Sequence, residues 1–249
     1  MFIDPGNNII FLKPKKCAGT SAEIYLRQFL SARAVGSRED FEAEEIARSL
    51  GLGPLRNVNL PIRAIDKRTA KQFYRSRFKK WPQLGHHQSA LSVRAMLGKN
   101  FSNFQKVSIA RNPFDWTVSL FFWRHRSMPW DSGIAETGRV FAEWVHNRLH
   151  HERIKLESVY MIHGQAVVDF WVSFENLSSG LESLAKQIFP HYDSEAAVSV
   201  ERITAKAKVR PTWASTPALF DLSPAAADVV REELAFHFET FGYSQNPGD

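Results

Sequence analysis

Lys16, Thr20 and Ser21 stand close together in Phe11-Leu12-Lys13-Pro14-Lys15-Lys16-Cys17-Ala18-Gly19-Thr20-Ser21, a segment rich in cations, small residues and hydroxyls. Residues of these types hold oxyanions. A short apolar strand, Asn8 to Leu12, leads into the segment, and an amphipathic helix leaves it near Thr20 through Ala22, Ile24, Leu26 and Phe29. A loop that ends at a helix N-terminus presents unpaired backbone N–H groups and the positive end of a helix dipole. Neighbouring lysines and hydroxyls add to this, so the segment is expected to cradle phosphate or sulfate. Its spacing differs from the nucleotide-hydrolase loop G-x-x-x-x-G-K-[ST], because Lys16 precedes Gly19 and the hydroxyls follow directly.

A second segment has the same logic. Lys106-Val107-Ser108-Ile109-Ala110 reads as a buried strand and runs into Arg111-Asn112-Pro113-Phe114-Asp115-Trp116-Thr117-Val118-Ser119. Pro113 suits the first turn of a helix, where a missing N–H does no harm. Arg111 at the strand end and Ser119, two helical turns on, can converge on one anion.

Both segments resemble the motifs of sulfotransferases that use 3′-phosphoadenosine 5′-phosphosulfate (PAPS). That family commonly reads P-K-T-A-G-T-S after its first strand and R-N-P-[YF]-x-x-x-x-S after a later one. Further likenesses spread over the chain: Phe174-Glu175-Asn176-Leu177 is similar to the family's [YF]-E-N-L, and Lys206-Ala207-Lys208-Val209-Arg210 to a basic loop near the donor's 3′-phosphate. Phe238 to Tyr243 resembles the usual last helix and its F-G-Y ending. Departures are Lys15 where proline is usual, Cys17 where threonine is common, and Ser173 where a basic residue often stands.

The resemblance implies transfer of a sulfuryl group from PAPS to an acceptor hydroxyl, leaving 3′-phosphoadenosine 5′-phosphate (PAP), with no metal required. Lys16 would be the cation at the leaving group. Lys16, Cys17, Ala18, Gly19, Thr20 and Ser21 would hold the 5′-phosphosulfate, and Arg111, Ser119, Lys208 and Arg210 the 3′-phosphate. Lys13 and Lys15 are expected to add a diffuse positive field. The base that takes the acceptor's proton should titrate near neutrality. His87 is preferred in Gly85-His86-His87-Gln88-Ser89-Ala90, with Ser89 as a helix cap; His86 and a glutamate stand in reserve. Glu175 is expected to hold the loop that follows it. The acceptor is a carbohydrate, including an anionic glycan, or a small molecule.

Other readings use the same residues. A phosphate-loop nucleotide kinase would share the layout and need magnesium with an acidic ligand. A thiol beside Lys16 at a helix start would be activated, making a Cys17–His87 hydrolase conceivable, but this leaves Arg111 and Ser119 unexplained. A non-catalytic binder of anionic glycans or nucleic acid is the third alternative.

The 249 residues carry 44% hydrophobic and 12% aromatic side chains, ordinary for one α/β domain. Net charge is +6. Much of the excess lies in a charged helical insertion around 38–80, where an acidic patch from Glu39 precedes a basic run from Arg56 to Lys80. No nucleic-acid signature accompanies it. No H-E-x-x-H or C-x-x-C pattern for a metal is present. One cysteine and no signal-like or membrane-length apolar run fit a cytoplasmic enzyme, so the chain looks like a soluble bacterial form related to carbohydrate sulfotransferases.

Strands at Ile9–Leu12 and Lys106–Ala110 must position the two motifs. Helices are expected at Thr20–Leu30, Ser89–Leu97, Pro113–Arg126, Gly138–Leu149, Gly180–Phe189 and Pro224–Phe241. Ser158–Ile162 and Val167–Val172 should pair about His163-Gly164-Gln165. Strands alternating with helices predict one α/β domain over 1–249: a central, mostly parallel sheet flanked by helices, with the P-loop-like, nucleotide-kinase-like layout of the sulfotransferase fold.

Overall fold

Ile9, Ile10 and Phe11, all fully buried, form β2 (Ile9–Phe11), and the main sheet is built around it. In the computed structural model, residues 1–37, 41–53, 83–128, 134–203 and 210–249 are described. Most of the charged insertion around 38–80, with Lys206 and Lys208, therefore lies outside the described residues. Within that insertion a helix, α2, covers Phe41–Ser49, and Arg27 clasps its Glu44 through both carboxylate oxygens at 2.5 and 2.9 Å.

The sheet has five strands in the order β3-β1-β2-β4-β7, with β1 Phe2–Asp4, β3 Val35–Gly36, β4 Gln105–Ala110 and β7 Phe170–Ser173. β2 and β4 are parallel, with Ile9 opposite Gln105 and Phe11 opposite Val107. β1 runs antiparallel to both β2 and β3. The sheet is therefore mixed, which corrects the expectation of a mostly parallel one; the α/β class stands. The reversal is made by Asp4-Pro5-Gly6-Asn7-Asn8. Asp4 accepts from the Gly6 N–H at 2.9 Å, the Asn7 amide at 2.7 Å and the Ser31 N–H at 2.9 Å, and Asn8 takes a φ of 53°. Short polar side chains that bond their own backbone make such turns.

The chain divides into two compact units, 1–109 with 157–205 and 110–156 with 206–249. The first holds the sheet with α1 (Gly19–Arg27), α3 (Ala90–Leu97) and α6 (Leu177–Ile188). Ser89 caps α3 as expected, accepting from the Ser92 N–H at 3.2 Å. The hairpin turn at His163-Gly164 is present, with both residues at positive φ, yet it joins only β5 (Met161–Ile162) to β6 (Gln165–Ala166). The rest of the expected second strand goes instead to the main sheet. Asp169 ties it there, donating its N–H to the Lys106 carbonyl at 2.8 Å and accepting from the Lys106 N–H at 2.7 Å.

The second unit is helical: α4 (Pro113–Arg124), α5 (Ile134–Ser158), α7 (Thr216–Asp221), α8 (Pro224–Glu233) and α9 (Ala235–Phe241). Its core is aromatic. Phe114 packs on Phe220 and Phe238 at 5.0 and 5.1 Å between ring centres, and Phe121 on Phe141 at 5.2 Å. The helix expected over Gly138–Leu149 extends at both ends, and the one over Pro224–Phe241 breaks at Leu234, whose φ of −111° and ψ of 25° leave the helical region. Among the described residues no helix is long and apolar enough to cross a membrane.

One glycine gives a sharp test of the packing of α6 on β7. A Cβ on Gly180 would lie 2.8 Å from Cγ1 of Val172, a stiff β-branched side chain. Alanine inside a helix is ordinarily worth up to about 1 kcal/mol over glycine. Here overpacking should dominate, and Gly180→Ala should destabilise by about 1–2 kcal/mol in urea unfolding. A stabilised variant would contradict this packing.

Candidate functional site

After β2 the chain stays tied to β4 for one more residue: the Leu12 N–H donates to Val107 O at 2.8 Å, and the Ser108 hydroxyl donates to Leu12 O at 3.0 Å. The loop then begins at Lys13, which is buried. Its ammonium lies 2.5 Å from Glu23 Oε2, and Glu23 Oε1 lies 2.9 Å from the Met1 nitrogen. Burial alone would raise the Glu23 carboxyl; the Met1 amine and the Lys13 ammonium beside it outweigh that and hold the group well below the usual carboxylate range, while burial lowers the Met1 amine itself to about 5. Lys13 is thus a paired, buried residue and not the source of diffuse field the sequence implied.

The backbone beyond it has an unusual form. Lys16 and Ala18 take φ of 60° and 51° while Cys17 between them does not, so handedness alternates along the loop. Alternation of this kind makes concavities that bind anions through consecutive N–H groups. α1 begins at Gly19, one residue earlier than the sequence suggested, with Ala18 as its N-cap and no side chain capping it. The first N–H groups of α1 thus have no capping side chain. Gly19 is needed for space, since a Cβ there would sit 2.5 Å from Lys13 Cγ. Lys16 and Thr20 are half-buried and Ser21 is buried. Cys17 is buried too, with its thiol donating to Lys15 O at 3.4 Å, a poor setting for a nucleophile.

His87 reaches this loop. Its Nδ1 lies 2.8 Å from the Lys13 carbonyl oxygen, which can only accept, so Nδ1 carries the hydrogen and Nε2 keeps a lone pair. Burial lowers the imidazole pKa to about 4; Lys13 and Lys15 push the same way, and the bond to the carbonyl opposes them. An imidazole held that low is neutral at pH 7, so Nε2 can accept a proton there, as a weaker base than one titrating near neutrality. His86 turns elsewhere, with Nδ1 at 3.2 Å from the Ser37 hydroxyl.

In the second unit Arg111, Ser119 and Arg210 come together, as the sequence anticipated for a phosphate site. Arg111 donates to Asp115 Oδ2 through Nε and Nη2 at 2.8 and 2.6 Å, and Nη1 lies 3.3 Å from Ser119 Oγ. Arg210, 95 positions after Asp115, donates to the other carboxylate oxygen at 2.8 Å. Its remaining donors meet Thr216 Oγ1 at 3.0 Å and the Ala214 carbonyl. Thr216 in turn donates to Asp115 Oδ1 at 3.0 Å. Burial would raise the Asp115 carboxyl, but Arg111 and Arg210 outweigh it and lower its pKa. One carboxylate thus gathers two guanidiniums beside a hydroxyl, residue types that recognise phosphate.

The sequence marked Asp115 as a motif position but gave it no role, and it missed Thr216. Ser215-Thr216-Pro217 was a legible helix start, and Ser215 does cap α7, accepting from the Ala218 N–H at 3.2 Å. Lys208 lies outside the described residues. α4, unlike α1, has its cap in place: Asn112 Oδ1 accepts from the Phe114 and Asp115 N–H groups at 2.9 and 3.3 Å. Glu175 is exposed and closes a small turn, accepting from the Ser173 hydroxyl at 2.6 Å. Among the described residues no group of three or more His, Cys, Asp or Glu side chains is arranged to hold a metal ion.

Half-buried His87 and buried His237 make the fold sensitive to acid. Burial lowers His87 and His237 alike to about 4, below the ordinary 6.5 they regain on unfolding. Between those values the unfolded chain binds more protons than the folded one, so stability must fall as pH drops from 6.5 towards 4. Urea midpoints measured across that interval should decline steadily; a flat or rising profile would mean that these rings are charged in the fold. No family model matches the chain, and neither does any curated protein or solved structure.

Proposed function

We propose that the chain is a PAPS-dependent sulfotransferase of P-loop-like fold, moving a sulfuryl group to the hydroxyl of a carbohydrate or small molecule. The observation that carries this reading is the meeting of Arg111, Ser119 and Arg210 around Asp115. The sequence reads these residues, with Lys208, as holders of the donor's 3′-phosphate, and Arg210 lies 95 positions after Asp115. Two planar guanidiniums beside the Ser119 hydroxyl suit a phosphate, and Asp115 fixes both arginines in place.

The loop supports the other end of the donor. Alternating handedness at Lys16 to Ala18 and the uncapped start of α1 suit a 5′-phosphosulfate. When bound, the donor supplies the activated sulfuryl group. Lys16 offsets the negative charge that grows on the departing phosphate, and the N–H groups from Gly19 onward share that charge. His87 Nε2 takes the proton from the acceptor hydroxyl, with Nδ1–H anchored on Lys13. Positioning and electrostatics do the rest, as in phosphoryl transfer.

Calorimetry of nucleotide binding tests the assignment of the two ends. Arg111→Ala or Ser119→Ala should weaken PAP by about tenfold to a hundredfold while barely changing AMP, because a charge-assisted bond is lost from the 3′-phosphate alone. Equal losses for both nucleotides would place the 3′-phosphate elsewhere. Lys16→Ala should lower kcat by about a hundredfold or more while PAP still binds. Near-normal turnover in that variant would remove Lys16 from its role, and loss of turnover in Cys17→Ser would favour thiol chemistry instead.

A further inference from the structure

Lys13 is held at three points, and each one fixes something different. Its ammonium is buried against Glu23 at 2.5 Å. Its stem lies on Gly19, where a Cβ would approach Cγ to 2.5 Å. Its carbonyl accepts from His87 Nδ1 at 2.8 Å. Gly19 and Glu23 are four residues apart on α1 and so share one face, along which the lysine is laid. The segment before it is held as well, since Leu12 is bonded through both its N–H and its carbonyl to β4.

We propose that Lys13 and Glu23 are positioning residues for His87: Glu23 anchors the Lys13 side chain so that the Lys13 carbonyl holds the imidazole in its Nδ1–H form, with Nε2 as the proton-accepting atom. The role given to Nε2 rests on the sulfotransferase reading; the control of the tautomer does not. Free imidazole exchanges between two neutral forms, and only a fixed acceptor selects one. A carbonyl on a loop can turn away unless the residue bearing it is pinned. Lys13 is pinned by a charge pair out of water, which resists being pulled apart because either ion left alone is costly. Lys15 and His86 also neighbour His87, but His86 Nδ1 is directed to Ser37 and neither supplies the acceptor that Nδ1 uses.

Nitrogen NMR of the imidazoles reads the tautomer directly, with the His87 signal identified by its loss in His87→Asn. The wild-type protein at pH 7.5 should show His87 with hydrogen on Nδ1. Glu23→Gln should shift it to a mixture of tautomers and lower kcat about tenfold to a hundredfold with donor KM changed far less. If Glu23→Gln does not fold, Lys13→Met, which removes the ammonium and leaves Glu23 its contact with the Met1 nitrogen, should show the same mixture. Hydrogen on Nε2 in the wild-type protein, or an unchanged tautomer in either folded variant, would overturn the proposal. If the tautomer responds as expected and no form of the protein transfers sulfuryl groups, the positioning stands and the enzymatic reading fails.

Discussion

A cation withdrawn from water needs a carboxylate beside it, and in each unit that requirement organises the basic residues that the proposed function uses. Glu23 meets it for Lys13, and Asp115 for Arg111 and Arg210. The consequences differ. The first pair cancels its own charge. The second gathers two guanidiniums on one carboxylate next to Ser119. Both arrangements are preorganised, because the side chains are already held in place before any ligand arrives.

The two helices that follow the motif strands show a similar division. Asn112 and Pro113 complete the start of α4 from within, so its first N–H groups are occupied. Ala18 leaves the start of α1 uncapped, and left-handed residues at Lys16 and Ala18 shape the backbone before it. Non-glycine residues at positive φ are uncommon and persist only where the surroundings enforce them. The buried Lys13 on one side of this turn and the packed Gly19 on the other provide that enforcement. His87 lies against the same turn, bonded to the Lys13 carbonyl.

Much of this was legible in the sequence because it is local. A strand that ends in hydroxyls and glycine, a proline at a first helical turn and a serine before α3 each carry their meaning within a few residues. The mixed sheet was not legible: β1 has three residues, too short for periodicity, and the Asp4-Pro5-Gly6 turn that reverses the chain stands before the first strand the sequence indicated. α5 outran its expected ends because its outer turns are polar and show no apolar stripe. Asp115 as a hub needed Arg210, which is distant in the chain, and nothing local points from one to the other. Lys13 looked like a surface lysine among three, and only the fold shows that Glu23 lies beneath it. The depressed pKa of His87 follows from burial, which its polar neighbours in sequence conceal.

The account stands or falls on group transfer. Incubating the protein with radiolabelled PAPS and a panel of hydroxyl-bearing glycans, lipids and small alcohols measures this directly. The expected result is label on at least one acceptor, matched one for one by released PAP and unaffected by EDTA. Tight, salt-sensitive binding of the nucleotide with no label transferred to any acceptor would contradict it and identify an anion-binding protein instead.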